Sequence, residues 1–221
     1  MLIEHVIFDL DGTLTDPEAG ITRSWAHALE VLGRPVPPLK ELTRFIGPPT
    51  RDVMAELLGT QDAARIEEGV AIYRERFSTL GLFENHAYPG IVDTLAQLAA
   101  SGRSLWICTS KPGVYAQRIA DHFGFTPHLR AVYGPELDGT RGDKAELLTY
   151  LLAQEGIPAE GAVMIGDRLH DIRAARQCRV RSIGVLYGFG SREELTQAGA
   201  DQLCATVAEL AGMIERIERL G

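Results

Sequence analysis

The feature that most constrains the fold is the distance along the chain between the first strand and any partner for it. Residues 6–8, Val-Ile-Phe, have the apolar pattern of a short buried strand that ends at an acidic, glycine-containing turn. Residues 17–80 then show helix signals alone, with Gly33 as a natural stop and Thr50 as a natural start. A strand needs other strands to pair with, so the partners of this one must come from beyond residue 90.

Beyond residue 90 the pattern alternates between helices and strands. We predict strands at residues 105–108, 131–133, 163–165 and 182–186, and helices at 91–100, 113–123, 144–155, near Ile172 and from Thr206 onward. This order is typical of an α/β protein with a parallel, doubly wound, Rossmann-like sheet covered on both faces. The sequence therefore predicts a core from residues 1–15 and 86–221, with a helical domain inserted at 16–85.

Composition and charge limit the kind of partner. The 221 residues are 45 % hydrophobic and 24 % charged, as in ordinary globular proteins. With 22 basic and 30 acidic residues the formal net charge is −8, which argues against a surface built for a nucleic acid polymer. Any phosphate that the protein handles is therefore expected to belong to a small molecule.

The cysteines and the apolar runs bear on localisation. The three cysteines form no CxxC pair, so we expect no disulfide framework or structural zinc site, and a reducing cytoplasm fits best. The first nine residues include acids and lack the pattern of a signal peptide. No apolar run approaches the roughly 18 residues of a membrane helix, so we expect no membrane partner.

Polar residues follow several of the predicted strands at the points where these end. The carboxyl ends of parallel strands meet at one edge of a sheet, which is where ligands bind in such folds. The glycine-rich stretch 188–190 has no nucleotide-binding fingerprint, and we expect it to be a loop near the same edge. The polar residues brought to this edge are Asp9, Asp11, Thr109, Ser110, Lys144, Asp167 and Asp171.

Four carboxylates at one edge require a cation. Each close pair of carboxylates, about 4 Å apart, repels by roughly 4 kcal/mol at an effective dielectric constant of 20. A hard divalent ion such as Mg²⁺ suits an aspartate-rich site that also binds phosphate. Lys144 adds a compact positive charge for a phosphate oxygen.

The two aspartates of the first turn suit a division of labour. Asp9 can attack phosphorus and form an aspartyl phosphate, because an ionised carboxylate is a ready nucleophile. Asp11 can protonate the leaving oxygen and later take a proton from water, if its acidic neighbour raises its pKa. Gly12 allows a sharp turn, and Thr13 is expected to hydrogen-bond to Asp11.

These motifs resemble those of the haloacid dehalogenase-like hydrolase superfamily. The resemblance rests on FDLDGTLTD at residues 8–16, the strand ending in Thr109, Lys144, and IGDRLHD at residues 165–171. It covers essentially the whole chain. It implies that Asp9 is the nucleophile, that Asp11 is the general acid and base, and that Thr109 and Lys144 bind phosphate. It also implies that Asp9, the Asp11 carbonyl and Asp167 surround Mg²⁺ and that Asp171 ligates or supports the metal. By the same resemblance, the helical insertion corresponds to a mobile cap.

Substrate choice is expected to depend on the inserted domain. Its segment 44–51 contains Arg44, Phe45 and Arg51 beside a stiff proline pair. Together with residues 109–112 and 136–141, this segment is similar to the phosphoglycolate phosphatase branch, which includes 5′-nucleotidase-like members. Phe45 could stack on a nucleotide base, while Arg44 or Arg51 could pair with a small carboxylate.

Two other functions stay open at this point. A sugar-phosphate mutase of the same superfamily shares all four motifs. A signalling module that accepts a phosphoryl group also uses an aspartate, an acidic pair, a hydroxyl and a lysine, although such modules are smaller and have no helical cap. The favoured interpretation is a phosphatase acting on small phosphomonoesters.

Overall fold

The computed structural model describes residues 2–220 and divides the chain into two compact units. One unit comprises Met1–Asp16 and Ala87–Gly221, and the other comprises Pro17–His86. The predicted boundaries, after residue 15 and before residue 86, each differ by one residue from the boundaries between these units. That the second unit acts as a cap stays a prediction.

A parallel sheet forms the centre of the first unit. The strands of the described chain are β1 (His5–Phe8), β2 (Thr15–Asp16), β3 (His86–Ala87), β4 (Ser104–Cys108), β5 (Ala131–Tyr133), β6 (Ala162–Gly166), β7 (Arg181–Val185) and β8 (Gln202–Cys204). Six of them pair in parallel in the order β5-β4-β1-β6-β7-β8, and β2 and β3 form a separate two-stranded sheet. The predicted α/β fold class is confirmed.

The first strand lies inside the sheet, between β4 and β6. Ile7 is in register with Trp106 on one side and with Met164 on the other. Residues 6–8 are fully buried because neighbouring strands flank them and both faces of the sheet are covered. The carboxyl ends of β4, β1 and β6 therefore lie side by side, and the residues that follow these three strands share one edge.

The helices account for most of the remaining chain. They are α1 (Glu18–Val31), α2 (Leu39–Leu42), α3 (Thr50–Leu58), α4 (Ala63–Arg76), α5 (Ile91–Ala100), α6 (Gly113–His122), α7 (Lys144–Glu155), α8 (Leu169–Gln177), α9 (Arg192–Ala198) and α10 (Leu210–Leu220). Within residues 2–220, no helix has both the length and the apolar character that a membrane crossing requires.

The second unit is helical, and aromatic rings contribute to its core. Trp25 of α1 stacks on Tyr73 of α4 with ring centroids 3.9 Å apart, and Tyr73 stacks on Phe77 at 5.4 Å. The sequence predicts one amphipathic stretch from residue 61 to residue 80. In the structure α4 ends at Arg76, and a π-helical turn, Phe77–Gly81, follows it.

The carboxyl-terminal part of the first unit differs most from expectation. The sequence does not predict α9 or β8, and α10 begins at Leu210 rather than Thr206, after a 3₁₀ turn at Val207–Glu209. Helix α9 has seven residues and β8 has three, too few for a periodic pattern to emerge. The pairing of β8 with β7, a tertiary contact, stabilises this last strand.

We expect Gly20→Ala to destabilise the second unit. A Cβ at Gly20 would lie 2.0 Å from the carbonyl oxygen of Gly81, so α1 and the π-helical turn would have to separate. Overpacking of this kind costs about 1–3 kcal/mol. Urea unfolding followed by circular dichroism measures the change.

Gly212→Ala is the matched control, because Gly212 is also helical and a Cβ there would meet nothing within 4 Å. Alanine stabilises an open helical position by up to about 1 kcal/mol relative to glycine. Equal unfolding midpoints for the two variants would contradict the packing argument.

Candidate active site

Three buried carboxylates meet at the edge where β1 and β6 end. Asp9 follows β1, Asp167 follows β6, and Asp171 lies in the first turn of α8. One oxygen from each lies within 4.8 Å of the others, and all three residues are buried. The sequence predicts this convergence, and the structure brings these three residues together.

Lys144 lies between two of these carboxylates. Its Nζ is 2.7 Å from Asp9 Oδ1 and 2.8 Å from Asp171 Oδ1. The lysine opens α7, whose start is fixed by Asp143, since an Asp143 side-chain oxygen accepts hydrogen bonds from the backbone N–H groups of Ala145 and Glu146. Burial disfavours the ammonium, but the two carboxylates outweigh it and raise the pKa of Lys144. Lys144 therefore remains a cation.

Asp11 is paired with a second buried lysine, Lys111, which the sequence pattern does not single out. Lys111 Nζ lies 2.8 Å from Asp11 Oδ2. The available signal was its position two residues after Thr109, at the same strand end. Asp11 Oδ1 has no hydrogen-bond partner among the described residues. One oxygen of Asp11 is thus held, and the other is available.

The electrostatic environment of Asp11 differs in part from expectation. Burial raises the pKa of the Asp11 carboxyl most, Lys111 lowers it, and the charge of Asp9 adds a further rise. The predicted direction is confirmed, although burial rather than the acidic neighbour is the main cause. The predicted hydrogen bond from Thr13 to Asp11 is wrong: Thr13 Oγ1 has no partner within the described chain, and Lys111 holds Asp11 instead.

The end of β4 contributes hydroxyl groups. Thr109 is buried, its backbone N–H donates to the carbonyl of Tyr133 at 3.0 Å, and its Oγ1 accepts from the backbone N–H of Lys111 at 3.2 Å. Ser110 is partly exposed. The turn after β4 is therefore fixed by one hydrogen bond to β5 and by one within the turn, which places Thr109 and Lys111 together.

The glycine-rich loop after β7 reaches the acidic cluster, as predicted. The backbone N–H of Phe189 donates to Asp167 Oδ2 at 2.7 Å. Asp167 Oδ1 is buried and has no hydrogen-bond partner in the part of the chain that the structure describes. Burial, followed by the charges of Asp171 and Asp9, raises the pKa of the Asp167 carboxyl well above its usual range.

The donor set fits a hard divalent cation. Carboxylate oxygens are the ligands that Mg²⁺ uses in proteins, and Asp167 Oδ1 is a buried oxygen that lacks any other partner. Asp171 is more fully engaged, because Oδ1 pairs with Lys144 and Oδ2 accepts from the backbone N–H of Arg168 at 3.1 Å. Burial also raises the pKa of Asp171, so a bound cation would stabilise its ionised form too.

The candidate substrate residues of the second unit have partners within that unit. Arg44 pairs with Glu56 at 3.3 Å, and its guanidinium lies 4.5 Å from the ring centroid of Phe45, which is buried. Arg51 pairs with Glu67. Their part in substrate binding stays a prediction.

The chain is similar to several known proteins. A family model described as haloacid dehalogenase-like hydrolase matches residues 6–185. A Pseudomonas aeruginosa protein named 5′-nucleotidase is 49 % identical over 211 residues, which cover 96 % of this chain and 95 % of the relative. A Mycobacterium tuberculosis protein named tyrosine-protein kinase PtkA is 37 % identical over 217 residues, which cover 98 % of this chain and 72 % of the relative.

Two further similarities concern phosphatases. An Agrobacterium fabrum protein named phosphoglycolate phosphatase is 30 % identical over 187 residues, covering 83 % of this chain and 80 % of the relative. The crystal structure of a predicted phosphatase from Clostridium acetobutylicum superimposes with a TM-score of 0.94 at 38 % identity, covering 98 % of this chain and 100 % of the other. Since the family match spans most of its length, the chain belongs to the haloacid dehalogenase-like hydrolases.

Proposed function

We propose that this enzyme is a Mg²⁺-dependent phosphatase that hydrolyses small phosphomonoesters through an aspartyl phosphate on Asp9. The observation that carries the proposal is the pairing of buried carboxylates with two buried lysines, Asp9 with Lys144 and Asp11 with Lys111. The arrangement provides a nucleophile, a proton-transfer group and cations for a phosphate within one water-poor edge of the sheet.

Asp9 is the nucleophile in this proposal. One of its oxygens attacks phosphorus, the bond from phosphorus to the ester oxygen breaks, and the alcohol leaves. Lys144, 2.7 Å from Asp9 Oδ1, orients the carboxylate and offers positive charge to the phosphate. Thr109, at the end of the neighbouring strand, provides a hydroxyl for a phosphate oxygen.

Asp11 carries the protons. Oδ2 is held by Lys111, so Oδ1, which has no partner among the described residues, is the oxygen that exchanges a proton with the substrate. Asp11 protonates the departing ester oxygen and then accepts a proton from the water that attacks the aspartyl phosphate. Inorganic phosphate leaves, and Asp9 is restored.

Asp9, Asp167 and the backbone carbonyl of Asp11 are the proposed ligands of the metal. When bound, Mg²⁺ neutralises the charge of the phosphate dianion and of the carboxylates around it. Asp171 supports the site, since both its oxygens already bind Lys144 and the Arg168 N–H.

The substrate class that we favour is nucleoside 5′-monophosphates, with tolerance for other small phosphomonoesters. The support is the 49 % identity, over nearly the whole of both chains, to the relative named 5′-nucleotidase. The relative named phosphoglycolate phosphatase, at 30 % identity, makes a small carboxylate-bearing phosphoester the alternative. Phe45 is the proposed contact for a base, and Arg44 or Arg51 for a carboxylate.

The remaining alternatives differ in the molecule that receives the phosphoryl group. A mutase returns it to a sugar phosphate, a signalling module retains it, and a kinase, as the Mycobacterium tuberculosis relative is named, passes it to a protein tyrosine. Continuous release of inorganic phosphate from a phosphomonoester, with no second substrate present, would support hydrolysis over all three.

We expect Asp9→Asn to abolish nearly all phosphate release, because it removes the nucleophile without a change in side-chain volume. Asp11→Asn should lower kcat by about 10²- to 10⁴-fold through the loss of proton transfer. Steady-state assays of folded, purified variants measure both.

Asp93→Asn, an exposed change on α5, serves as the control and should keep wild-type turnover. Substantial turnover by Asp9→Asn would contradict the covalent route.

Removal of divalent metal should stop turnover. The clustered carboxylates and the substrate dianion repel each other unless a cation lies between them. Phosphate release after chelation with EDTA should fall to background, and excess Mg²⁺ should restore it. Turnover that survives exhaustive chelation would rule out the proposed role of the metal.

Phe45→Leu should affect nucleotides more than phosphoglycolate. The change keeps most of the apolar volume of this buried residue but removes its ring. An aromatic contact contributes about 0.5–1.5 kcal/mol, so kcat/KM for nucleoside monophosphates should fall by about two- to tenfold relative to phosphoglycolate.

Phe83→Leu, at an exposed phenylalanine of the same unit, is the control and should leave both kcat/KM values unchanged. Equal losses on both substrates in Phe45→Leu, or a wild-type enzyme active on phosphoglycolate alone, would reject the nucleotide proposal.

A further inference from the structure

The loop that follows β7, residues 187–190, lies beside the acidic site. None of its residues takes part in the proposed reaction steps. In the sheet, β7 is next to β6 but is separated from β1 by it. The loop nevertheless contacts the segments that follow both of these strands. It therefore connects the two segments that carry Asp9 and Asp167.

On the β6 side, the loop packs against Asp167 through backbone atoms. Besides the hydrogen bond from the Phe189 N–H, a Cβ at Gly188 would lie 2.5 Å from Asp167 Cβ, and a Cβ at Gly190 would lie 1.8 Å from the Asp167 carbonyl oxygen. Side chains at these two positions would push the loop away. The glycines thus allow the loop to approach Asp167 closely.

On the β1 side, the contact is made by Tyr187. Its hydroxyl donates a hydrogen bond to the carbonyl oxygen of Thr13 at 3.1 Å, and a Cβ at Gly188 would lie 2.3 Å from the carbonyl oxygen of Gly12. Burial raises the pKa of the Tyr187 phenol, so the hydroxyl stays protonated and remains a donor. The turn that follows Asp9 and Asp11 is therefore tied to the β7 loop.

Tyr88 supports the same connection from a third segment. Its ring contacts Tyr187 edge to face, with centroids 4.9 Å apart, and its backbone N–H donates to the carbonyl of Leu14 at 3.1 Å. Tyr187 is thus fixed by ring packing on one side and by the hydrogen bond to Thr13 on the other.

We propose that Tyr187 is a positioning residue for the metal site. Its hydrogen bond to Thr13 holds the backbone after Asp9 against the loop that binds Asp167, and so sets the separation of the two carboxylates. This inference rests on the proposed function, because it assumes that Asp9 and Asp167 bind Mg²⁺. In this proposal Tyr187 acts through its hydrogen bond to Thr13 rather than as a ligand of the metal.

The test is Mg²⁺ binding by Tyr187→Phe, measured by isothermal titration calorimetry without substrate. The variant keeps the ring and its contact with Tyr88 but loses the hydroxyl. Groups that orient metal ligands typically change metal affinity by 10- to 100-fold, so we expect the Kd for Mg²⁺ to rise about tenfold. In activity assays the Mg²⁺ needed for half-maximal rate should rise likewise, while kcat at saturating Mg²⁺ stays near the wild-type value.

Tyr133→Phe is the matched control. It also loses a hydroxyl that makes a hydrogen bond, but the acceptor is Glu155, the last residue of α7, at the end opposite Lys144. Its Kd for Mg²⁺ should equal that of the wild type. Gly188→Ala is the second variant, and its affinity should fall at least as far, because a Cβ would separate the loop from both Gly12 and Asp167.

The outcomes separate the inference from the proposed function. Equal Mg²⁺ affinity of wild type and Tyr187→Phe would overturn the role of Tyr187 and leave the phosphatase proposal standing. A wild-type protein that binds no Mg²⁺ would overturn both. A loss of kcat in Tyr187→Phe that saturating Mg²⁺ does not restore would also overturn the role, since it would place the effect outside the metal site.

Discussion

The concentration of charge in a buried place is the constraint on which the rest of the site depends. Asp9, Asp167 and Asp171 bring three carboxylates within 4.8 Å of one another at positions with little access to water. Two such charges about 4 Å apart repel by roughly 4 kcal/mol at an effective dielectric constant of 20. Lys144 offsets part of this by lying between Asp9 and Asp171, and Lys111 does the same for Asp11. The remaining need for positive charge is the physical basis for a metal at this edge.

The parallel sheet makes that concentration possible. Because β1 pairs with β4 on one side and with β6 on the other, the turns after three strands lie next to one another although they are far apart in sequence. The apolar residues of β1 are fully buried, so the strand cannot shift its register without exposing them. The position of Asp9 is therefore fixed by packing before any ligand binds. Lys144 is placed by a second device, the Asp143 cap at the start of α7.

Parts of the fold were predictable because the local pattern and the tertiary context agree. The bounds of α5, β5 and α7 match their predicted ranges, since each has strong periodicity or clear boundary residues. By contrast, β8 was missed because Gln202–Cys204 begins with a polar residue and lacks the wholly apolar run of the equally short β5, and its pairing with β7 is a tertiary event. The roles of Lys111 and Tyr187 were also missed, because they depend on contacts with segments remote in sequence. The position of Lys111, two residues after Thr109, placed it near the strand end, but nothing local showed that it pairs with the buried Asp11.

The sequence by itself determined the order of most of the strands and helices, the candidate residues at the strand ends and the membership of the family. These follow from short-range patterns and from motifs that occur in one order along the chain. Only the tertiary structure decided which charged groups pair, that burial is the main cause of the raised pKa of Asp11, and that the β7 loop reaches over Asp167 to Thr13. The physical reason is that burial and pairing depend on distances between segments remote in sequence, which arise when the sheet assembles.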